Sequence, residues 1–346
     1  MSISIIDTAT AIRGVVAAPE SQRADLIREL WAPVAPIYSF VPGGVDLAAV
    51  HTQNFGFPTD HSADQILHAC DRLVAADAWT RVERALHDGV AAIRAADPAA
   101  TIPDLTVLLI LGDPGNRHFM EEAQGLSGFG GISGYIVITL WPSDLVLGRL
   151  EAIAVHELHH NLRYSPGGVL WDPATVTVGE HVISEGLADM FATELFGDAG
   201  LTHFVSAETR ADDAVLARVV SGLGVTGMGD FAAWVLGDAT AHLFGAEPVG
   251  LPTGAGYAAG ARIVGAYLAT ARTTAAASLR TPAAEILRVA LPQLGLAPAA
   301  APAPKPTALP GQVPATHPHE DPATHPHQDP APASGLASGH ASGTLN

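Results

Sequence analysis

The stretch Val155-His156-Glu157-Leu158-His159-His160-Asn161 decides how this chain reads. Around it Leu150, Ile153, Ala154, Leu158 and Leu162 recur at three- and four-residue intervals, the period of an amphipathic helix. Positions i and i+4 of a helix share a face, so the imidazoles of His156 and His160 can reach one metal ion from successive turns. Glu157 falls beside them, where a carboxylate can take a proton from water without being a ligand. The same H-E-x-x-H pattern also arises by chance in a chain with 16 histidines, as solvated side chains on an ordinary helix. A second signal has to separate these readings.

That signal lies downstream. A zinc site of this kind needs a third protein ligand, and Ser184-Glu185-Gly186-Leu187-Ala188-Asp189 offers Glu185 on the next helical stretch, residues 176–196. A turn around 166–172 would let this helix pack back against the first. Asp189, one turn past Glu185, could accept the free N–H of a ligand histidine and fix its tautomer. A solvated acidic face is the plainer account of the same two residues. The extended metzincin pattern requires glycine and histidine where this chain has Arg163 and Pro166, which excludes that class.

Together, H-E-L-H-H-N-L-R and S-E-G-L-A-D resemble the gluzincin superfamily, the thermolysin-like metallopeptidases. More narrowly they look like a bacterial family of zinc-dependent proteases of unknown function, which adds a G-Y-x-x-G segment; Gly256-Tyr257-Ala258-Ala259-Gly260 matches it. The similarity spans roughly residues 100–290. It implies a zincin-like catalytic domain with His156, His160 and Glu185 holding one Zn2+ per chain. Glu157 would be the general base and Asp189 the partner of a ligand histidine. The expected activity is peptide-bond hydrolysis on a peptide or protein substrate. Such chemistry needs a donor for the developing oxyanion. Tyr257 is the first choice, with His242 and Tyr164 as alternatives. His159 points off the metal face; His181, one turn before Glu185, could replace or supplement that ligand.

Further out the patterns change. Leu105 to Leu111 is a continuous apolar run ending at Gly112-Asp113-Pro114-Gly115, a buried strand. A glycine-rich loop, residues 125–134, leads to a second strand over 135–141. In the superfamily this segment would lie along the cleft edge and pair with an extended substrate; a core strand with glycine turns is the competing reading. Pro142-Ser143-Asp144 opens a helix running to about Tyr164. Residues 1–100 read as helical, over 5–16, 26–37, 66–74 and 82–93, with Asp60-His61-Ser62 as capping side chains. Later helical patterns cover 212–219, 231–236, 257–271 and 282–289. The expected fold is α+β and mainly helical, with a small sheet at the cleft. Its organisation would be an N-terminal helical region (1–100), the peptidase domain (101–295) and a disordered tail (296–346).

The tail is rich in Ala, Pro, Gly, Ser, Thr and His and repeats an octad, Pro-Ala-Thr-His-Pro-His-Glu-Asp then Pro-Ala-Thr-His-Pro-His-Gln-Asp. Its paired histidines, His317 with His319 and His325 with His327, could bind metal weakly. Two functional alternatives therefore accompany the peptidase: a zinc-containing peptide-binding protein without peptidase activity, and a metal buffer that uses the tail. A net charge of −18 argues against nucleic acid or an anionic membrane as partner. The single cysteine, Cys70, excludes an internal disulfide framework and reads as a small buried hydrophobe. With no basic, apolar leader and no run of about 18 apolar residues, a cytoplasmic protein is expected.

Overall fold

The computed structural model describes residues 1–59 and 63–297. The capping trio Asp60-His61-Ser62 and the tail from residue 298, with its paired histidines, lie outside the described residues.

The architecture is α+β and mainly helical, built on one mixed sheet of four strands: β1 (Ile3–Ile5), β2 (Leu105–Leu111), β3 (Leu126–Phe129) and β4 (Tyr135–Leu140), in the order β1-β2-β4-β3. β2 and β4 run parallel, with Val107 opposite Ile136 and Leu111 opposite Leu140. Both are covered on their two faces, which is why β2 reads as a continuous apolar run with no alternation. β1 pairs parallel with β2, Ile3 opposite Leu105. The expectation of helix from residue 5 is corrected here. Ile3–Ile5 belong to the sheet, and the helix starts at Thr8, capped by the Asp7 carboxylate accepting from Thr10 N.

A second correction concerns the cleft edge. Residues 135–140 lie inside the sheet, hydrogen-bonded to β2 on one side and β3 on the other. The exposed edge is β3, which runs antiparallel to β4 with Leu126 opposite Leu140 and Phe129 opposite Val137. Asn161 fastens the connection between these strands to the helix below. Its Oδ1 accepts from Gly134 N (3.0 Å), and its Nδ2 faces the carbonyls of Gly130, Ile132 and Tyr135 at 3.1, 2.7 and 2.9 Å.

The helix expected from Ser143 to Tyr164 is two helices. Asp144–Leu147 is a short turn capped by Ser143, and the chain breaks at Gly148 and Arg149 before Leu150–Arg163 begins. Arg149 has φ −127° and ψ 7°, outside helical geometry, and glycine at 148 weakens continuation. The H-E-x-x-H motif occupies Leu150–Arg163, the metal helix. Val178–Phe196, capped by Thr177, packs against it and carries Glu185 and Asp189.

A third helix, Ala255–Ala271, packs on the Glu185 helix and brings in Tyr257. The crossing is close because Gly260 has no side chain: a Cβ there would stand 2.2 Å from Val182 O and 3.0 Å from Gly186 N. The G-Y-x-x-G segment is thus a packing device that sets where Tyr257 sits. One hydrophobic cluster runs from Ile12 and Trp31 in the N-terminal helices through Leu109, Leu158 and Phe191 to Leu291. The N-terminal residues share both this core and, through β1, the sheet. Among the described residues, no helix is long and apolar enough to cross a membrane.

Candidate metal centre and cleft

The two packed helices bring three ligand-type side chains together. His156 Nε2 and His160 Nε2 are 3.1 Å apart, and Glu185 Oε2 lies 3.2 Å from the first and 3.1 Å from the second. All three residues are buried. A tetrahedral zinc site with N and O donors at about 2.0–2.2 Å has donor–donor edges of about 3.3–3.5 Å, so the triangle matches such a set to within a few tenths of an ångström. The donor chemistry agrees. Each imidazole places its other nitrogen on a separate partner, which leaves both Nε2 lone pairs and a carboxylate oxygen converging on one point. Convergent lone pairs this close together repel one another, and a cation between them relieves that. The donors present therefore fit a divalent metal of the zinc type, with room for a fourth ligand from the cleft.

The outer partners are well defined. His156 Nδ1 lies 3.1 Å from Asp189 Oδ1, and Asp189 is itself held by Thr202, whose Oγ1 donates to Oδ1 (2.7 Å) and whose N donates to Oδ2 (3.2 Å). His160 Nδ1 lies 2.9 Å from Ser184 Oγ. Ser184 also bonds to the Tyr164 hydroxyl, which donates to Glu180 Oε1 at 3.1 Å. Glu180 is paired in a two-pronged contact with the fully buried Arg163, Nε to Oε1 at 2.8 Å and Nη2 to Oε2 at 3.1 Å. Arg163 Nη1 finishes the network on the carbonyls of Leu279 and Thr281.

Burial by itself would lift the Glu185 carboxyl, but the charges of His160 and His156 and their hydrogen bonds overcome it and hold the group well below the usual carboxylate range. For His156, burial opposes protonation, while the hydrogen bonds to Asp189 and Glu185 prevail and raise it well above its ordinary value. Glu157 behaves oppositely to Glu185. Burial dominates and raises its carboxyl, with His156 and His160 pulling it partly back. Glu157 is in the cleft but outside the triangle. A carboxylate whose proton affinity is raised, beside but not on the donor set, is suited to accept and return a proton.

These residues line an open cleft. Edge strand β3 forms one wall, through Leu126–Phe129 and Gly130. Tyr257 forms another, its ring stacked on His156 at 6.4 Å between centroids and set edge-on to Phe204 at 5.3 Å. The alternatives to Tyr257 lie elsewhere. Tyr164 is behind the metal helix on Glu180, and His242 is exposed outside the cleft. His181 packs edge-on against Trp171 and Phe231, and His159 is buried against Phe191; neither joins the triangle. Burial holds His159 well below its ordinary value and His181 down to about 4.

Ser184, Arg149 and His203 also belong to the site or its cleft, and no sequence motif marks a role for them. Ser184 precedes Glu185, and on a helix the preceding residue can face the neighbouring turn of a packed partner. Arg149 and His203 reach the cleft through tertiary packing, His203 donating from Nε2 to Ala123 O (2.9 Å) and pushed down to about 4 by burial. No periodicity marks either residue.

The family model described as Predicted Zn-dependent protease (DUF2268) matches residues 89–288, a span that includes the triangle, Glu157, Asp189 and Tyr257. The chain is also similar to the Uncharacterized protein YjfC of Bacillus subtilis (strain 168). The two are 27% identical over 259 residues, covering 72% of this chain and 85% of the relative. No solved structure matches the chain.

Proposed function

This chain belongs to the DUF2268 family of predicted Zn-dependent proteases, and from that premise we propose that it hydrolyses peptide bonds with one Zn2+ held by His156, His160 and Glu185. The observation that carries the reading is the buried triangle of donors 3.1–3.2 Å apart, with Glu157 in the same cleft yet outside the triangle. A buffer site has no need of such a carboxylate, whereas hydrolysis does.

Zinc held by His156, His160 and Glu185 would supply Lewis acidity that lowers the pKa of water and polarises a carbonyl oxygen. The chain's own residues do the rest. Glu157 accepts a proton from the attacking water on its carboxylate and delivers it to the leaving amine, and burial raises its proton affinity, which favours the first of these transfers. Tyr257, stacked on His156, donates its hydroxyl hydrogen to the developing oxyanion. Asp189 accepts from His156 Nδ1–H, which leaves Nε2 as the free lone pair, and Ser184 does the same for His160. The edge of β3 offers main-chain hydrogen bonds to an extended peptide lying along the cleft.

The test is cleavage of a diverse peptide mixture, read by mass spectrometry, with wild type beside Glu157→Gln. The expected result is products from wild type alone, abolished by a chelator and restored by zinc, with equal zinc content in both proteins. Equal turnover in the two proteins overturns the assignment of Glu157. Absence of cleavage by zinc-loaded wild type overturns the peptidase reading.

A further inference from the structure

We propose that Arg149 forms an anion subsite in the cleft, one that binds a carboxylate of the peptide substrate a short distance from the bond that is cut. The inference rests on the peptidase reading of the same cleft and adds a substrate class to it.

The charge pattern of the cleft wall is the starting point. Glu122, Glu157, Glu185 and Asp189 all line it, and Arg149 is the one Lys or Arg among the described lining residues. Its side chain is half-buried, and no carboxylate forms an ion pair with it among the described residues. Asp189 attracts it electrostatically, but the Asp189 oxygens are engaged by His156 Nδ1 and by the Thr202 hydroxyl and N–H. A guanidinium drawn partly out of water with no carboxylate bonded to it is costly, and the cost falls when an anion arrives.

The guanidinium is also held in place for that purpose. Nη1 donates to Ala199 O and Leu201 O, both at 2.9 Å, which uses both of its hydrogens. The remaining three N–H bonds, on Nε and Nη2, form the fork that pairs with a carboxylate in bidentate geometry. The anchoring segment continues into Thr202, which holds Asp189 and accepts from Arg210 Nη2. A second cation thus stands behind the first, and burial together with Arg210 makes the charge on Arg149 less comfortable. The break between the two helices at Gly148 and Arg149 places this side chain at the entrance of the metal helix.

Position sets the register. Arg149 is seven residues before His156 on the cleft-facing line that also includes Ile153 and His160. At about 1.5 Å per residue the two α-carbons are about 10 Å apart. An extended peptide covers that distance in about three residues. The anionic group therefore lies within about three residues of the cleaved bond. Either a free C-terminal carboxylate or an Asp or Glu side chain supplies the same chemistry.

The experiment uses matched fluorescent peptides with the zinc-loaded full chain. One pair differs only in a free or amidated C-terminus, the other in Glu or Gln at a single position, and each is followed by binding anisotropy and by cleavage. The expected result is a preference of about tenfold for the charged member of one pair, reduced to near parity in Arg149→Met and partly kept in Arg149→Lys. The pair that shows the preference identifies the source of the carboxylate. Cleavage without charge preference in the wild type overturns the subsite and leaves the peptidase reading intact. A charge preference in binding with no cleavage keeps the subsite and overturns the peptidase reading. Binding of neither pair overturns the subsite. A variant that weakens charged and neutral peptides equally, with a lowered melting temperature, assigns Arg149 to anchoring the 199–202 segment and overturns the proposal.

Discussion

Gly128 of the edge strand lies so close to Glu157 that a Cβ on it would stand 2.1 Å from Glu157 Oε1. The strand can therefore line the cleft at this level only without a side chain, and the carboxylate owes its position partly to that absence. Gly128→Ala is expected to displace Glu157 by about an ångström, which costs on the order of a hundredfold in turnover when a reacting group is misplaced. Zinc content should stay at the wild-type value, because Glu157 is outside the donor triangle. Cleavage rate and metal stoichiometry measured on the same preparation check both halves. Unchanged turnover would show that the carboxylate has room the packing denies it.

Ser184 and Asp189 contact the outer nitrogens of His160 and His156, and under the proposed reading they would act on the metal through those histidines. Ser184→Ala removes the partner of His160 Nδ1 and should weaken zinc binding by about 10–100-fold, the usual cost of losing an outer partner. Asp189→Ala should do at least as much, since it also frees Thr202 and the segment that anchors Arg149. Competition with a zinc-binding dye gives the affinities, and wild-type affinity in both variants would rule out this orienting role.

Much of this centre was legible in the residues themselves. The His156–His160 spacing needs only helix geometry, and Glu185 and Asp189 are one turn apart on a helix whose packing the turn at 166–172 foreshadows. What escaped reading did so for physical reasons. β1 is three residues long and β3 four, with a glycine inside it, too short for any alternation to register. β2 and β4, buried on both faces, look alike in sequence, so nothing local says which strand is the edge. The break at Gly148-Arg149 hides inside an otherwise continuous helical pattern. Ser184, His203 and Arg149 acquire their roles only when separate elements meet.

Behind the metal helix, Glu180 is the sole carboxylate paired with Arg163 among the described residues. Because Arg163 is fully buried, removing its partner leaves an uncompensated charge inside the protein. Glu180→Ala is expected to lower stability by about 3–5 kcal/mol, the range for breaking one side of a buried ion pair. Tyr164→Phe removes one hydrogen bond to the same carboxylate and should cost about 1 kcal/mol. Urea unfolding of the zinc-loaded proteins at pH 7 measures both, and a Glu180→Ala loss below about 1 kcal/mol would mean that water reaches Arg163.

The N-terminal region carries a titrating group that does not line the cleft. His51 is buried, its Nδ1 accepting from Trp31 Nε1 at 3.0 Å and its Nε2 donating to Phe57 O at 2.9 Å. This fixes a neutral tautomer, and burial pushes its pKa down to about 4 despite the bond to Phe57. In the unfolded chain the same imidazole titrates near 6.5. Above pH 6.5 both states are neutral and the group leaves stability unaffected by pH. Between about 6.5 and 4 the unfolded state binds the proton and the folded state does not, so stability falls as pH falls through that window. The full loss is about 3 kcal/mol, from about 2.5 pKa units at 1.36 kcal/mol each. His181 and His203 are pushed down to about 4 as well, so the wild-type slope exceeds that of one group. The difference between wild type and His51→Gln isolates the His51 share. Urea midpoints from pH 7.5 to 4.5 should converge as the pH drops, because the glutamine variant is weaker at neutral pH and loses less on acidification. Parallel curves would mean that His51 takes up its proton inside the fold, with Trp31 and Phe57 yielding to admit it.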